Sequence, residues 1–268
     1  MKIYIIAALY YPHYFEKVKE EISVIFGGYS HHTVFVDNSG DIIPEHELAE
    51  NVSWLRGSNL GGEFTAWEEG YHFIRNKNIK ENDIFVFLND TFCHHRIFTF
   101  YDRLIYRNII NNFKCDAIYG ELNKGESSLG INQQSFNKWI SSYIFMVAYK
   151  NIQHLLPLNA VINLSEDDMV AISNGLSKGV VSVPAFSQNL NEHLSQWLFP
   201  TDRKGWYKAK KISTDAYFFK LKAIINEKFL TYHAIKSGFE IKGIYDNYIS
   251  RIYNSLRYRV YEYYRHKK

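Results

Sequence analysis

The stretch FVFLNDTF, residues 85–92, decides the reading of the fold. Four apolar residues, Phe85 to Leu88, read as a buried strand. The chain then sets Asn89, Asp90 and Thr91 side by side. An ionised carboxylate is costly inside a core, so one placed directly after a core strand belongs at a strand end that faces a cleft. The same pattern recurs on either side. IYIIAAL (3–9) is an apolar run followed by Tyr10-Tyr11, TVFV (33–36) is followed by Asp37-Asn38-Ser39-Gly40, and VSWLRG is followed by Ser58-Asn59. DAIYGEL (116–122) completes five strands.

Between the strands the period changes. Phe15, Val18, Ile22, Ile25 and Phe26 recur at helical spacing after Pro12, as do Phe64, Trp67, Tyr71 and Ile74. The order β-α-β-β-α-β-α-β predicts an α/β fold, a mixed and mainly parallel sheet flanked by helices. In such sheets ligands bind beyond the carboxyl ends of the strands, where all four polar clusters fall. Beyond residue 139 the pattern is less regular. WISSYIFMVAYKNIQHLL (139–156) is apolar, SEDDMVAISNGLSKGV (165–180) reads as a helix capped by Ser165, and 215–241 reads as one or two helices.

Composition narrows the class. The chain has 268 residues, 46% of them hydrophobic and 17% aromatic, which is enough for a sizeable core and too apolar for disorder. No run of about 18 apolar residues predicts a transmembrane helix. The apolar N-terminus reads as a first strand rather than a signal peptide. Cys93 and Cys115 have no metal-like spacing, in keeping with a reducing cytoplasm. Adjacent histidines, as in His31-His32 and His94-His95, face opposite ways on a strand and make a poor zinc pair.

Each polar motif has a structural and a functional reading. Asp37 and Asn38 are expected either to shape an Asx turn or to hold a base or ribose. Gly61 and Gly62 open a helix whose free amides attract anions, with Glu63 in its first turn, or they simply make a tight turn. Asp90 is either a turn cap or an oxygen ligand for Mg²⁺ or Mn²⁺ beside substrate phosphates. Glu166 and Asp167 either complement a helix dipole or supply a general base.

In this order, VDNSG, RGSNLGGEFTAWEEGYHF, DIFVFLNDTF and SEDDMVAISNGLSKGV together resemble a nucleotide-sugar-dependent glycosyltransferase of the GT-A type, similar to family 2, while LNDT and SSYIFMVAYKNIQHLLP (141–157) resemble the rhamnan-synthesis group of polysaccharide transferases. The resemblance spans roughly residues 1–185. It implies a GT-A-like catalytic domain over 1–200 and a helical, basic, tyrosine-rich region over 201–268. It implies a nucleotide-sugar donor held by Tyr10, Asp37, Asn38, Asn59, Gly61, Gly62, Glu63 and Asn89, and Mg²⁺ or Mn²⁺ at Asp90. Asp167 then serves as the base, with Glu166 supporting it. The acceptor is expected to be a glycan or a lipid-linked glycan of bacterial surface polysaccharide synthesis. The sequence departs from the family where Asp-x-Asp becomes Asn89-Asp90-Thr91, with one carboxylate. A non-catalytic nucleotide-sugar-binding scaffold is the alternative, and a sugar nucleotidyltransferase is a further one.

Charge is unevenly spread. Residues 203–268 hold 16 Lys and Arg against 5 Asp and Glu, a balance of +11, while the remainder holds 15 against 23, a balance of −8. Within that tail Tyr245, Ile249, Ile252, Leu256, Val260 and Tyr263 recur at three- and four-residue steps. A helix over 245–268 is expected to lie on an anionic membrane surface, with Arg257 and Arg259 on its flanks reaching lipid phosphates. The expected location is cytoplasmic, peripheral at the inner face of the cell membrane, with no nucleic-acid partner because acids dominate the rest of the chain.

Overall fold

The structure is a computed structural model that describes residues 1–42, 48–200 and 213–265. The chain runs β1 (Ile3–Leu9), α1 (Phe15–Phe26), β2 (His31–Asp37), β3 (Val52–Arg56), α2 (Gly62–Ile74), β4 (Ile84–Asn89), α3 (Phe100–Asn111) and β5 (Ala117–Ile131). It continues through β6 (Gln134–Ala148), the one-turn α4 (Tyr149–Ile152), α5 (Glu166–Ser177), α6 (Gln188–Leu198), α7 (Thr214–Lys236), β7 (Glu240–Gly243) and α8 (Tyr248–Arg265). The expected order of the first eight elements is the observed one.

Among the described residues seven strands form one mixed sheet in the order β3-β2-β1-β4-β6-β5-β7. β1, β2, β3 and β4 pair in parallel, β6 runs antiparallel to both β4 and β5, and β7 lies parallel to β5. β1 is covered on both faces and both edges, which is why all seven of its residues are apolar and buried. Ile3, Ile5, Ala7 and Leu9 join the core layer under α1 and α3. Tyr4, Ile6 and Ala8 join the layer under α2 and α7. The stripe Phe64, Trp67, Tyr71 and Ile74 is buried as its spacing predicts.

The second half departs from a regular α/β pattern for local reasons. β5 and β6 are 15 residues each and form one long hairpin. Its tight turn places Asn132 at φ 51°, a left-handed conformation that asparagine tolerates better than most residues. The far end of the hairpin builds a third core with α5, α6 and α7 around Leu129, Ile131, Phe136, Ile172, Leu190 and Leu221. Residues 215–241 resolve into one helix, α7, and the edge strand β7. The C-terminal region therefore shares the main sheet through β7. The proposed boundary at residue 200 adjoins 201–212, outside the described residues. No described helix is long and apolar enough to cross a membrane.

Candidate functional site

β1 sends the chain to β2 on one side, and the chain returns to β4 on the other. The reversal leaves a crevice beyond the carboxyl ends of β1 and β4, the usual ligand position in open α/β sheets. Asp90 stands there. Its amide extends the ladder to Ala8 O at 3.0 Å. Its Oδ2 accepts from the amides of Tyr10 at 2.7 Å and Tyr11 at 2.6 Å. The carboxylate thus ties the loop after β1 to the end of β4. Asp90 is only 3% exposed. Burial pushes its carboxyl up to about 6; the Tyr11 and Tyr10 amides oppose this, and the Glu63 carboxylate adds to it. Glu63 lies in the first turn of α2, the helix whose Trp67 Nε1 donates to Leu88 O at 2.8 Å, two residues before Asp90.

Asn89 holds the neighbouring strand in place. Its Nδ2 donates to Ser142 O at 2.9 Å, and its Oδ1 accepts from Thr91 N and Thr91 Oγ1. Ser142 N in turn donates to Glu227 Oε1 on α7 at 2.8 Å. This chain of bonds brings a third, half-buried carboxylate to the border of the strand ends. No local pattern announces it, because Glu227 and Ser142 are 85 positions apart.

Asp37 is engaged by its own loop. Oδ1 accepts from Ser39 N, Ser39 Oγ and Gly40 N, and Oδ2 accepts from Ile42 N at 3.3 Å. Asn38 is different. Its Nδ2 donates to Gly62 O at 3.0 Å, but its buried Oδ1 has no partner among the described residues. The same holds for the buried Oδ1 of Asn59 and Oγ1 of Thr65. Buried acceptors of this kind are costly unless a water or ligand satisfies them. The segment can close over Asn38 because Asn59 (φ 55°) and Gly62 (φ 63°) adopt left-handed backbone. A Cβ on Gly57 would overlap Asn38 Oδ1, and one on Gly61 would overlap Thr65 Oγ1. Gly57→Ala should lower stability by about 1–3 kcal/mol through that overlap, read from the urea midpoint. An unchanged midpoint would show that Asn38 is not held against this glycine.

An aromatic wall closes the other side of the crevice. Tyr14 stacks on His94 with ring centroids 3.8 Å apart, next to Tyr11 and the half-exposed Tyr10. Arg96, in the loop after Asp90, lies over the Tyr143 ring at 4.1 Å and pairs with Glu121.

The structure therefore brings Tyr10, Asn38, Asn59, Gly61, Gly62, Glu63, Asn89 and Asp90 to the strand ends. Glu166 and Asp167 are exposed in the first turn of α5, with no hydrogen bond among the described residues tying them to the strand-end groups. The buried member of that acidic run is Asp168, which forms a capping box with Ser165 and also accepts from Ala185 N at 3.4 Å. Thr65, inside the RGSNLGGEFTAWEEGYHF segment, and Glu227, outside every motif, escape a sequence reading because no local pattern marks either as a site residue.

The chain matches no model of a known protein family and no curated protein.

Proposed function

We propose that this protein is a nucleotide-sugar-dependent glycosyltransferase of the GT-A type, transferring a sugar to a glycan or lipid-linked acceptor in bacterial surface polysaccharide synthesis. The supporting observation is the set of groups at the β1–β4 strand ends: buried Asp90, Glu63 in the first turn of the adjoining α2, and the acceptors of Asn38 and Asn59 that have no partner among the described residues. Asn38 and Asn59 suit the N–H and O–H donors of a nucleotide, and the exposed Tyr10 ring offers a stacking face for a base. Free amides at the start of α2 suit an anionic phosphate.

The donor set fits Mg²⁺ or Mn²⁺, which commonly binds through one or two carboxylates plus substrate phosphates. Asp90 Oδ1 and Glu63 would hold it. A bound divalent ion supplies Lewis-acid stabilisation of the departing phosphate charge. In an inverting transfer the acceptor oxygen bonds to the anomeric carbon as the bond to the donor phosphate oxygen breaks. The acceptor proton passes to Asp167, with Glu166 in support, and the nucleotide leaves as its phosphate or diphosphate.

A thermal-shift panel of UDP-, GDP-, dTDP- and CMP-sugars, with and without Mn²⁺, tests the reading. A ligand at 100 times its dissociation constant adds roughly 2.7 kcal/mol of stability. No shift with any of the four classes overturns it. Binding without turnover on any acceptor would instead favour a nucleotide-sugar-binding scaffold. A nucleotidyltransferase is disfavoured because the loop after β1, Tyr10 to Tyr14, contains no glycine. Asp167→Asn should lower turnover about 10²-fold with donor affinity kept, at the low end for a general base because the carboxylate is solvated. Full activity in that variant would remove α5 from the chemistry and make Glu227 the next carboxylate to substitute.

A further inference from the structure

The helix α8 is docked with its polar side inward. Ser250 is fully buried and Arg257 is 7% exposed. Tyr253 OH donates to Asp102 at 2.5 Å, Arg257 Nη1 reaches the same carboxylate at 2.5 Å, and the Tyr253 ring packs edge-on against Tyr101. Arg257, expected on the outer flank, thus turns into the protein because Asp102 and Glu121 receive it. Tyr245, expected in the apolar stripe, is likewise buried and precedes the helix. Residues 266–268 of the expected helix lie outside the described residues.

The rest of the stripe faces out. Ile249 is 68% exposed and Leu256 is 56% exposed, with Ile252 and Val260 also exposed. At about 100° per residue these four positions fall within roughly 80° of arc. Arg259 stands exposed beside them, and residues 248–268 contain six lysines and arginines against one glutamate.

We propose that this face of α8 lies in the headgroup layer of an anionic bilayer, at the inner face of the cell membrane. The stripe enters the acyl boundary, while the exposed Arg259 beside it meets lipid phosphates. The charge distinguishes this partner from a second copy of the chain. Two copies stacked on this face would set basic segments against each other, with Glu262 the one acid in each. Glu121, 3.6 Å from Arg257 Nη2, also pairs with Arg96 in the loop after Asp90, so one carboxylate links α8 to the loop that borders the strand-end crevice. Membrane docking then sets the crevice near the lipid surface, where a lipid-linked acceptor is found. That last consequence rests on the transferase reading, whereas the binding does not.

Flotation of the full chain with phosphatidylglycerol-containing vesicles, against pure phosphatidylcholine, tests the proposal. The protein should float with the anionic vesicles alone. The double variant Ile252→Asp/Leu256→Asp should lose about a hundredfold in partitioning with its urea midpoint unchanged, since both side chains are exposed. Tyr258→Ser, on the far side of the helix, should bind as the parent does. Absence of anionic binding by the parent overturns the proposal. So does equal binding by the double variant, or a self-associated dimer that this variant dissolves. A sugar-nucleotide titration of the double variant separates the two ideas. Donor affinity absent from both the parent and the double variant counts against the transferase and leaves the membrane face standing.

Discussion

Replacing Asp90 with asparagine is expected to leave the fold intact, abolish the Mn²⁺ response of donor binding and stabilise the protein above pH 6. Asparagine keeps the shape and the acceptor oxygen that receives the Tyr10 and Tyr11 amides, so the β1–β4 tie survives. What disappears is the anionic ligand, which should lower turnover by roughly 10³-fold, the scale of several kcal/mol for a Lewis acid. The pH dependence follows from the raised carboxyl, about 6 in the fold against 3.8 ordinarily. Between those values the folded chain binds more protons than the unfolded one, so the Asp90 contribution to stability falls as pH rises from about 4 through 6 and then levels. Its full cost above pH 6 is roughly 1–3 kcal/mol. Asp90→Asn lacks that cost. Its advantage over the parent should be near its minimum at pH 4, grow through pH 6 and stay constant beyond. Titration calorimetry with Mn²⁺ and urea melts at pH 4, 6 and 8 decide the matter. Equal metal response in the two proteins would leave Asp90 as a turn cap, and a flat stability difference would show that its carboxylate is not confined.

The largest loss of stability is expected from Asp102→Ala. This fully buried carboxylate accepts from Thr99 N at 2.7 Å, Tyr245 OH at 2.7 Å, Tyr253 OH at 2.5 Å and Arg257 Nη1 at 2.5 Å. Removing it leaves the buried Arg257 guanidinium with Glu121, 3.6 Å away, as its remaining acidic partner, and also opens the capping box of α3. Breaking a buried ion pair on one side costs about 3–5 kcal/mol. That is a large share of the ~5–15 kcal/mol that holds a domain together. Asp102→Asn, which keeps the shape, should lose less. Urea denaturation reads both variants, and a loss below about 1 kcal/mol in Asp102→Ala would mean that α8 is not held by this network.

The parts of this design that are visible in the sequence are local. Runs such as IYIIAAL and IFVFL announce a buried parallel sheet because both faces are covered, and the polar residues after them mark where the cover ends. The apolar stripe of α8 is visible for the same reason. Its orientation is not, because it is set by Asp102, 155 positions before Arg257. The Asp37 carboxylate illustrates the opposite limit. An Asx turn and a ligand contact use the same residue types, and only the four bonds from Ser39, Gly40 and Ile42 identify the loop as its partner. In the acidic run at 166–168 the third member is the cap and the first two are solvated, a distinction that spacing from Ser165 alone hints at.

The sheet ends in two brief strands, five residues in β3 and four in β7, which carry Arg56 at one rim and Glu240 and Lys242 at the other. A short, charged rim gives a neighbouring chain few backbone groups to zip onto. Crowded copies of the protein should therefore resist edge-to-edge growth into fibrils.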